Sequence, residues 1–188
     1  LRSAIEKWRG QNVTKDVIDR AIQKAKGGNA ETYTEGRYEA FGPGGSLFII
    51  DTLSDNSNRA FIEVRSAITK KGGHLGSTIF NFTQTGIFDF KGTNRDEVEE
   101  NLILGDVDVK EVTCEDGIIE VLVDPAAFGD ARRVLGEMGI SEFDTAEITF
   151  LANDPITIDD PEERRKFDEL CDMLDDLEDV QNVYHNVD

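Results

Sequence analysis

The sequence predicts an α/β (α+β) protein of three parts. These are a helical N-terminal piece (residues 1–35), a discontinuous α/β sheet domain (36–85 with 152–188) and an inserted ferredoxin-like domain (86–151). Three observations carry this reading. The hydrophobic period changes from helical to strand-like at Gly36. The middle of the chain shows elements in the order β-α-β-β-α-β. The last stretch offers one helix and one strand, which cannot fold alone and are expected to return to the first sheet.

Residues 1–9 read as a short helix stopped by Gly10. Thr14 is a good N-cap for a second helix, with Val17, Ile18, Ala21, Ile22 and Ala25 on one face and Gly27-Gly28-Asn29 ending it. Two such helices bury too little surface to stand alone, so a partner helix upstream of Leu1 is expected, with Trp8 packed on it. Residues 37–41 have strand composition, and Gly42-Pro43-Gly44-Gly45 is a turn between strands. Residues 46–53 form an apolar strand fit for burial on both faces. Asp55 or Asn56 caps a helix over 58–71, with Phe61, Val64, Ala67 and Ile68 expected on its buried face. Residues 72–76 read as a loop, because three glycines in five residues favour open or left-handed backbone. Residues 79–82 read as a short strand.

In the inserted block, strands are expected at 86–90, 107–113, 118–123 and 143–151, and helices at 94–104 and 125–138. Glu115-Asp116-Gly117 marks a hairpin and Pro125 a favoured first helical position. The tail offers a helix over 161–177, with Phe167, Leu170, Leu174 and Leu177 inward, then a strand over 180–187.

Charge separates the two halves. The net charge is −19, yet residues 1–95 carry +4 and residues 96–188 carry −23. The basic half suits a polyanionic partner, and the acidic half mostly keeps the protein solvated. No apolar run is long enough to cross a bilayer. Two distant cysteines, Cys114 and Cys171, read as reduced thiols, and two histidines are too few for a Cys/His zinc site. The acids of the last helix lie at helical spacing opposite a leucine stripe, with no calcium-loop glycine, so no metal is expected. No nucleophile elbow, phosphate-binding Gly-Lys-Ser/Thr loop or zinc-protease motif appears, so neither catalysis nor a cofactor is expected.

Two groups of residues are candidates for nucleic-acid contact. Lys15, Arg20, Lys24 and Lys26 lie along the second helix, and Arg37 begins the first strand. Arg59, Arg65, Lys70 and Lys71 lead into Gly72, Gly73, His74 and Gly76. Cations neutralise phosphates whatever the base, and glycines let backbone N–H groups approach an anion. His74 at the loop tip could stack on a base. Tyr38 and Phe41 are expected in packing or strand pairing rather than as stacking platforms.

Several stretches together resemble the YebC family, in detail its shorter YeeN-like branch. They are Asn12-Val13-Thr14-Lys15-Asp16-Val17-Ile18-Asp19-Arg20-Ala21-Ile22, Arg37-Tyr38-Glu39 with Gly42-Pro43-Gly44-Gly45, Thr52-Leu53-Ser54-Asp55-Asn56-Ser57-Asn58-Arg59, Gly72-Gly73-His74-Leu75-Gly76 and Val180-Gln181-Asn182-Val183-Tyr184-His185-Asn186. The resemblance spans nearly the whole chain in order. It implies a three-domain factor of the cytoplasm or an organelle matrix that is not an enzyme; a monomer is expected because no coiled coil or large apolar face argues for assembly. It further implies a ribosome-associated translation factor that meets rRNA or tRNA and helps elongation through difficult sequences such as proline runs. The alternatives are a DNA-binding transcriptional regulator and an acidic protein-interaction module.

Overall fold

A computed structural model describes residues 32–188. The two expected N-terminal helices, with Lys15, Arg20, Lys24 and Lys26, lie outside the described residues. Along the chain run β1 (Thr34–Phe41), β2 (Leu47–Ser54), α1 (Ser57–Lys70), β3 (His74–Leu75), β4 (Phe82–Lys91) and α2 (Arg95–Leu104). β5 (Val109–Glu115), β6 (Ile118–Val123), α3 (Phe128–Glu137), β7 (Thr145–Ala152), α4 (Pro161–Asp176) and β8 (Val180–His185) follow. The described chain divides into two compact units. One runs to Thr83 and resumes over Leu151–Asp188, and the other is Gln84–Phe150.

The first unit is a four-stranded antiparallel sheet in the order β3-β1-β2-β8. Strand β2 is central, and Phe48, Ile49 and Ile50 are each fully buried, as a strand covered on both faces requires. Helices α1 and α4 cover one face. Val64, Ala67 and Ile68 from α1 meet Ala40, Phe48 and Ile50 of the sheet and Phe167, Leu170 and Leu174 from α4. Each large side chain so buried stabilises the unit by about 1.5–3 kcal/mol. The tail helix and strand therefore do return to the first sheet. Asn56 caps α1 by accepting from the Arg59 N–H at 3.0 Å, and Asp160 caps α4 before Pro161.

The second unit has the sheet order β5-β6-β4-β7, with β4 and β5 both antiparallel to β6. Helices α2 and α3 pack on one face, burying Val98, Leu102, Ala131, Val134 and Leu135 against Phe88, Phe90, Val121 and Val123. This is the ferredoxin-like arrangement that the element order predicts. Asp116 and Gly117, at φ 52° and 77°, make the two-residue turn between β5 and β6.

Three local expectations need correction. Phe61 is not core. Ala60 takes the buried position on α1, while Phe61 is 38% exposed, 6.0 Å from the Tyr38 ring. The glycine stretch is not wholly loop, since β3 lies inside it and pairs with the end of β1. Residues 79–82 are not a strand. Ile79–Asn81 is a 3-10 turn, because Thr78 carbonyl accepts from the Asn81 N–H at 2.9 Å, and β4 begins only at Phe82.

Candidate nucleic-acid interface

The expected site centres on α1 and the glycine stretch that follows it. Gly72 sits at φ 83°, and its N–H donates to the Thr69 carbonyl at 3.1 Å. The Gly73 N–H donates to the Ile68 carbonyl at 3.0 Å. These two bonds form a Schellman cap, which ends a helix on a left-handed residue. The Gly76 N–H donates to the Glu39 carbonyl at 3.1 Å. All three glycine amides are thus engaged inside the protein. With these donors occupied, the three glycines close a helix and let β3 approach β1. A Cβ on Gly73 would stand 2.3 Å from the Phe41 carbonyl oxygen, and one on Gly76 2.6 Å from the Phe41 ring.

His74 is exposed and pairs with Phe41 across β3 and β1. Its ring stacks on the Phe41 ring with centroids 4.9 Å apart. One imidazole face is therefore occupied. Phe41 and Tyr38 do serve in pairing and packing, Tyr38 lying against the α1-side core.

The cations do not form one cluster. Arg59, in the first turn of α1, donates to Asp55 at 2.7 Å and three times to Asp179 at 3.1 Å. Asp179 is 5% exposed and also accepts from the Ser54 hydroxyl at 2.9 Å. Arg59 thus neutralises a buried carboxylate. Lys71 pairs with Glu169 of α4, and hydrogen bonds from Lys71 and Arg165 hold the Glu169 carboxyl below its ordinary range. Arg37 pairs with Asp51, directly opposite on β2, at 2.7 Å. Arg164, Arg165 and Lys166 of α4 pair with Asp168, Glu162 and Glu163.

Arg65 and Lys70 differ. Both are exposed on α1, and among the described residues neither has a carboxylate partner. Five residues apart, they stand about 140° around the helix from each other. Exposed Ile62, Ser66 and Thr69 lie between them. A helix face with a cation on each flank can straddle an anionic backbone.

One exposed aromatic escaped sequence reasoning. Phe80 is 86% exposed, and its backbone is held from both sides. The Thr78 and Ile79 N–H groups donate to the Glu39 carboxylate at 2.8 and 2.6 Å, and Asn153 donates to the Phe80 carbonyl at 3.3 Å. The signal was the Thr78 and Asn81 pair, whose short polar side chains favour a turn over a strand.

His185, in the terminal motif, is a packing residue. Its ring meets Phe167 edge-on at 5.0 Å, and burial lowers its pKa, so it is neutral at pH 7. Both cysteines are free thiols, and burial pushes that of Cys171 up to about 12. Among the described residues no group of His, Cys, Asp and Glu side chains could hold a metal ion, and no helix is long and apolar enough to cross a membrane.

The architecture is that of an α+β protein built from a helix-covered sheet and a ferredoxin-like unit. The chain belongs to the TACO1/YebC family: the family model for its second and third domain matches residues 33–187. The chain is 44% identical over its full length to a probable transcriptional regulatory protein, YeeN, from Shigella flexneri, covering 79% of that protein. It is also similar to the crystal structure of a conserved hypothetical protein, Aq1575, from Aquifex aeolicus. There the TM-score is 0.74 at 29% identity, over all of this chain and 79% of the other.

Proposed function

We propose that the protein is a ribosome-associated translation factor that docks on rRNA or tRNA through the solvent face of α1 and the adjoining β3 edge. The observation that carries this is the pairing of charges. The described part of the first unit has eight Lys and Arg residues, and six of them are held by its own carboxylates. Among the described residues of this unit, Arg65 and Lys70 alone have no carboxylate partner, on one helix of a chain whose net charge is −19. Leaving two cations uncompensated in so acidic a chain suits a polyanion met on one face. His74 and Phe80 supply exposed rings for unstacked bases, which RNA offers and duplex DNA does not. The strongly acidic second half would repel any nucleic acid that wrapped the protein. Docking of this kind would hold reactants in place without the factor doing chemistry itself, helping elongation through difficult sequences such as proline runs.

A second reading, a DNA-binding transcriptional regulator in the cytoplasm, is favoured by the name that the Shigella relative carries. A salt series of binding to a structured RNA fragment and to a DNA duplex separates the two. RNA binding should exceed duplex binding. The Arg65→Glu/Lys70→Glu variant should lose at least tenfold in affinity. Its logarithmic salt dependence should also fall by about 1.4, the loss of two single-strand phosphate contacts. Tighter binding to the duplex, or an unchanged salt slope in the variant, would favour the regulator.

A further inference from the structure

The ferredoxin-like unit carries a second surface with different chemistry. Helix α2 buries Val98 and Leu102, yet its last turn presents Ile103 and Leu104 to solvent, 59% and 75% exposed. Gly105 lets this end approach α3 closely, since a Cβ there would lie 2.7 Å from Val134. Between the two helix ends runs an open groove of about 400 Å³, with Leu104 on one wall and Val134 and Met138 toward α3. Its rim is acidic: Glu97 and Glu137 line it, and Glu100 borders the adjoining hollow beside Ile103. Glu137 is paired with Arg133 and Glu97 with Asn94, whereas Glu100 has no ion-pair partner among the described residues. The whole unit has five Lys and Arg residues against seventeen Asp and Glu.

We propose that this groove docks a cationic, amphipathic helical segment of a partner protein. Two adjacent large apolar side chains at a helix end gain nothing from water, and a groove between helix ends accepts the apolar stripe of another helix. The acidic rim then selects the partner's sign. Lys or Arg beside the stripe would meet Glu97, Glu100 and Glu137, while a nucleic acid or an acidic helix would be repelled. The groove belongs to the ferredoxin-like unit and α1 to the other, and the proposal stands whether or not α1 binds RNA.

The test uses the full chain and a synthetic 18-residue helical peptide with leucines on one face and lysines on its flanks. Binding is followed by fluorescence anisotropy. Three chains are compared: the native one, the Ile103→Ser/Leu104→Ser variant, and a Glu97→Gln/Glu100→Gln/Glu137→Gln variant. Each variant should bind at least tenfold more weakly, and the triple variant should also lose most of the salt dependence. Peptides with glutamate for lysine, or glutamine for leucine, should not bind. Equal affinity for the double-serine variant would reduce the attraction to diffuse charge and overturn the proposal. So would self-association of the native chain that the serines abolish, which would make a second copy the occupant. All five substituted side chains lie at the surface, so folding should survive. Should a variant melt early, hydrogen exchange on the native chain decides, with peptide-induced protection expected at residues 97–105 and 134–138 and its absence there overturning the proposal.

Discussion

Replacing Gly72 and Gly73 by alanine, one at a time, separates two demands that the glycine stretch meets. At Gly72 the backbone is left-handed, φ 83°, and an added Cβ would meet nothing within 4 Å. Only the conformational penalty applies, about 1 kcal/mol. At Gly73 the added Cβ would lie 2.3 Å from the Phe41 carbonyl oxygen and 2.9 Å from Ile68 Cγ2. β1 and β3 must part by roughly 1 Å, straining the Phe41–His74 pairing and the cap bond to Ile68. Overpacking of this kind costs about 3 kcal/mol. With a urea slope of about 2 kcal/mol/M, the midpoints should fall by about 0.5 M for Gly72→Ala and about 1.5 M for Gly73→Ala. Urea unfolding followed by far-ultraviolet circular dichroism reads this. Amide exchange adds a local check, because the Gly76 N–H should lose protection in Gly73→Ala alone. Equal midpoints, or a larger fall for Gly72→Ala, would refute the reasoning.

Asp179→Ala should destabilise the first unit by about 2 kcal/mol, since it removes the buried acceptor for Ser54 and Arg59; an unchanged urea midpoint would show that the network contributes nothing. On the second unit's sheet, burial first, then a hydrogen bond with Asp89 and repulsion from Asp89 and Glu111, raises Glu120 to about 7. Burial and the charge of Asp89 raise Glu147 to about 6. Both groups hold a proton more tightly folded than unfolded. Their contribution to stability is therefore complete below about pH 4.5 and is lost as pH rises through 6 and 7. Glu120→Gln should stabilise the unit by about 1 kcal/mol at pH 8, a figure kept small because the carboxylate still meets water, and by little at pH 4.5. Melting curves at the two pH values check this, and an equal gain at both would refute it.

The inserted unit was the most legible part of the chain because its punctuation is local. Asp116-Gly117 fixes the hairpin, Asp124 caps the turn at Pro125, and a short apolar run broken only by Glu120 marks β6. Strand β3 was not legible. Two residues within a glycine run have no period to read, and only pairing with β1 makes them a strand. Phe61 misled because its helical spacing places it at the edge of the buried stripe, where the close approach of helix and sheet admits Ala60 and turns the larger ring outward. The cations were legible as residue types but not as a site. Arg59, beside its local partner Asp55, reaches the buried Asp179 120 residues away, and Lys71 reaches Glu169 98 residues away, pairings that no local pattern reveals. What distinguishes Arg65 and Lys70 is the absence of such a partner among the described residues, and only the folded arrangement exposes it.

Ribosome co-sedimentation of the full-length protein across a salt series tests the RNA-docking proposal most directly, with the native chain run beside Arg65→Glu/Lys70→Glu. Co-migration at low salt that fades as salt rises, and is lost in the variant, is the expected result. No co-migration at low salt, or co-migration that the two substitutions leave intact, would contradict docking through the α1 face.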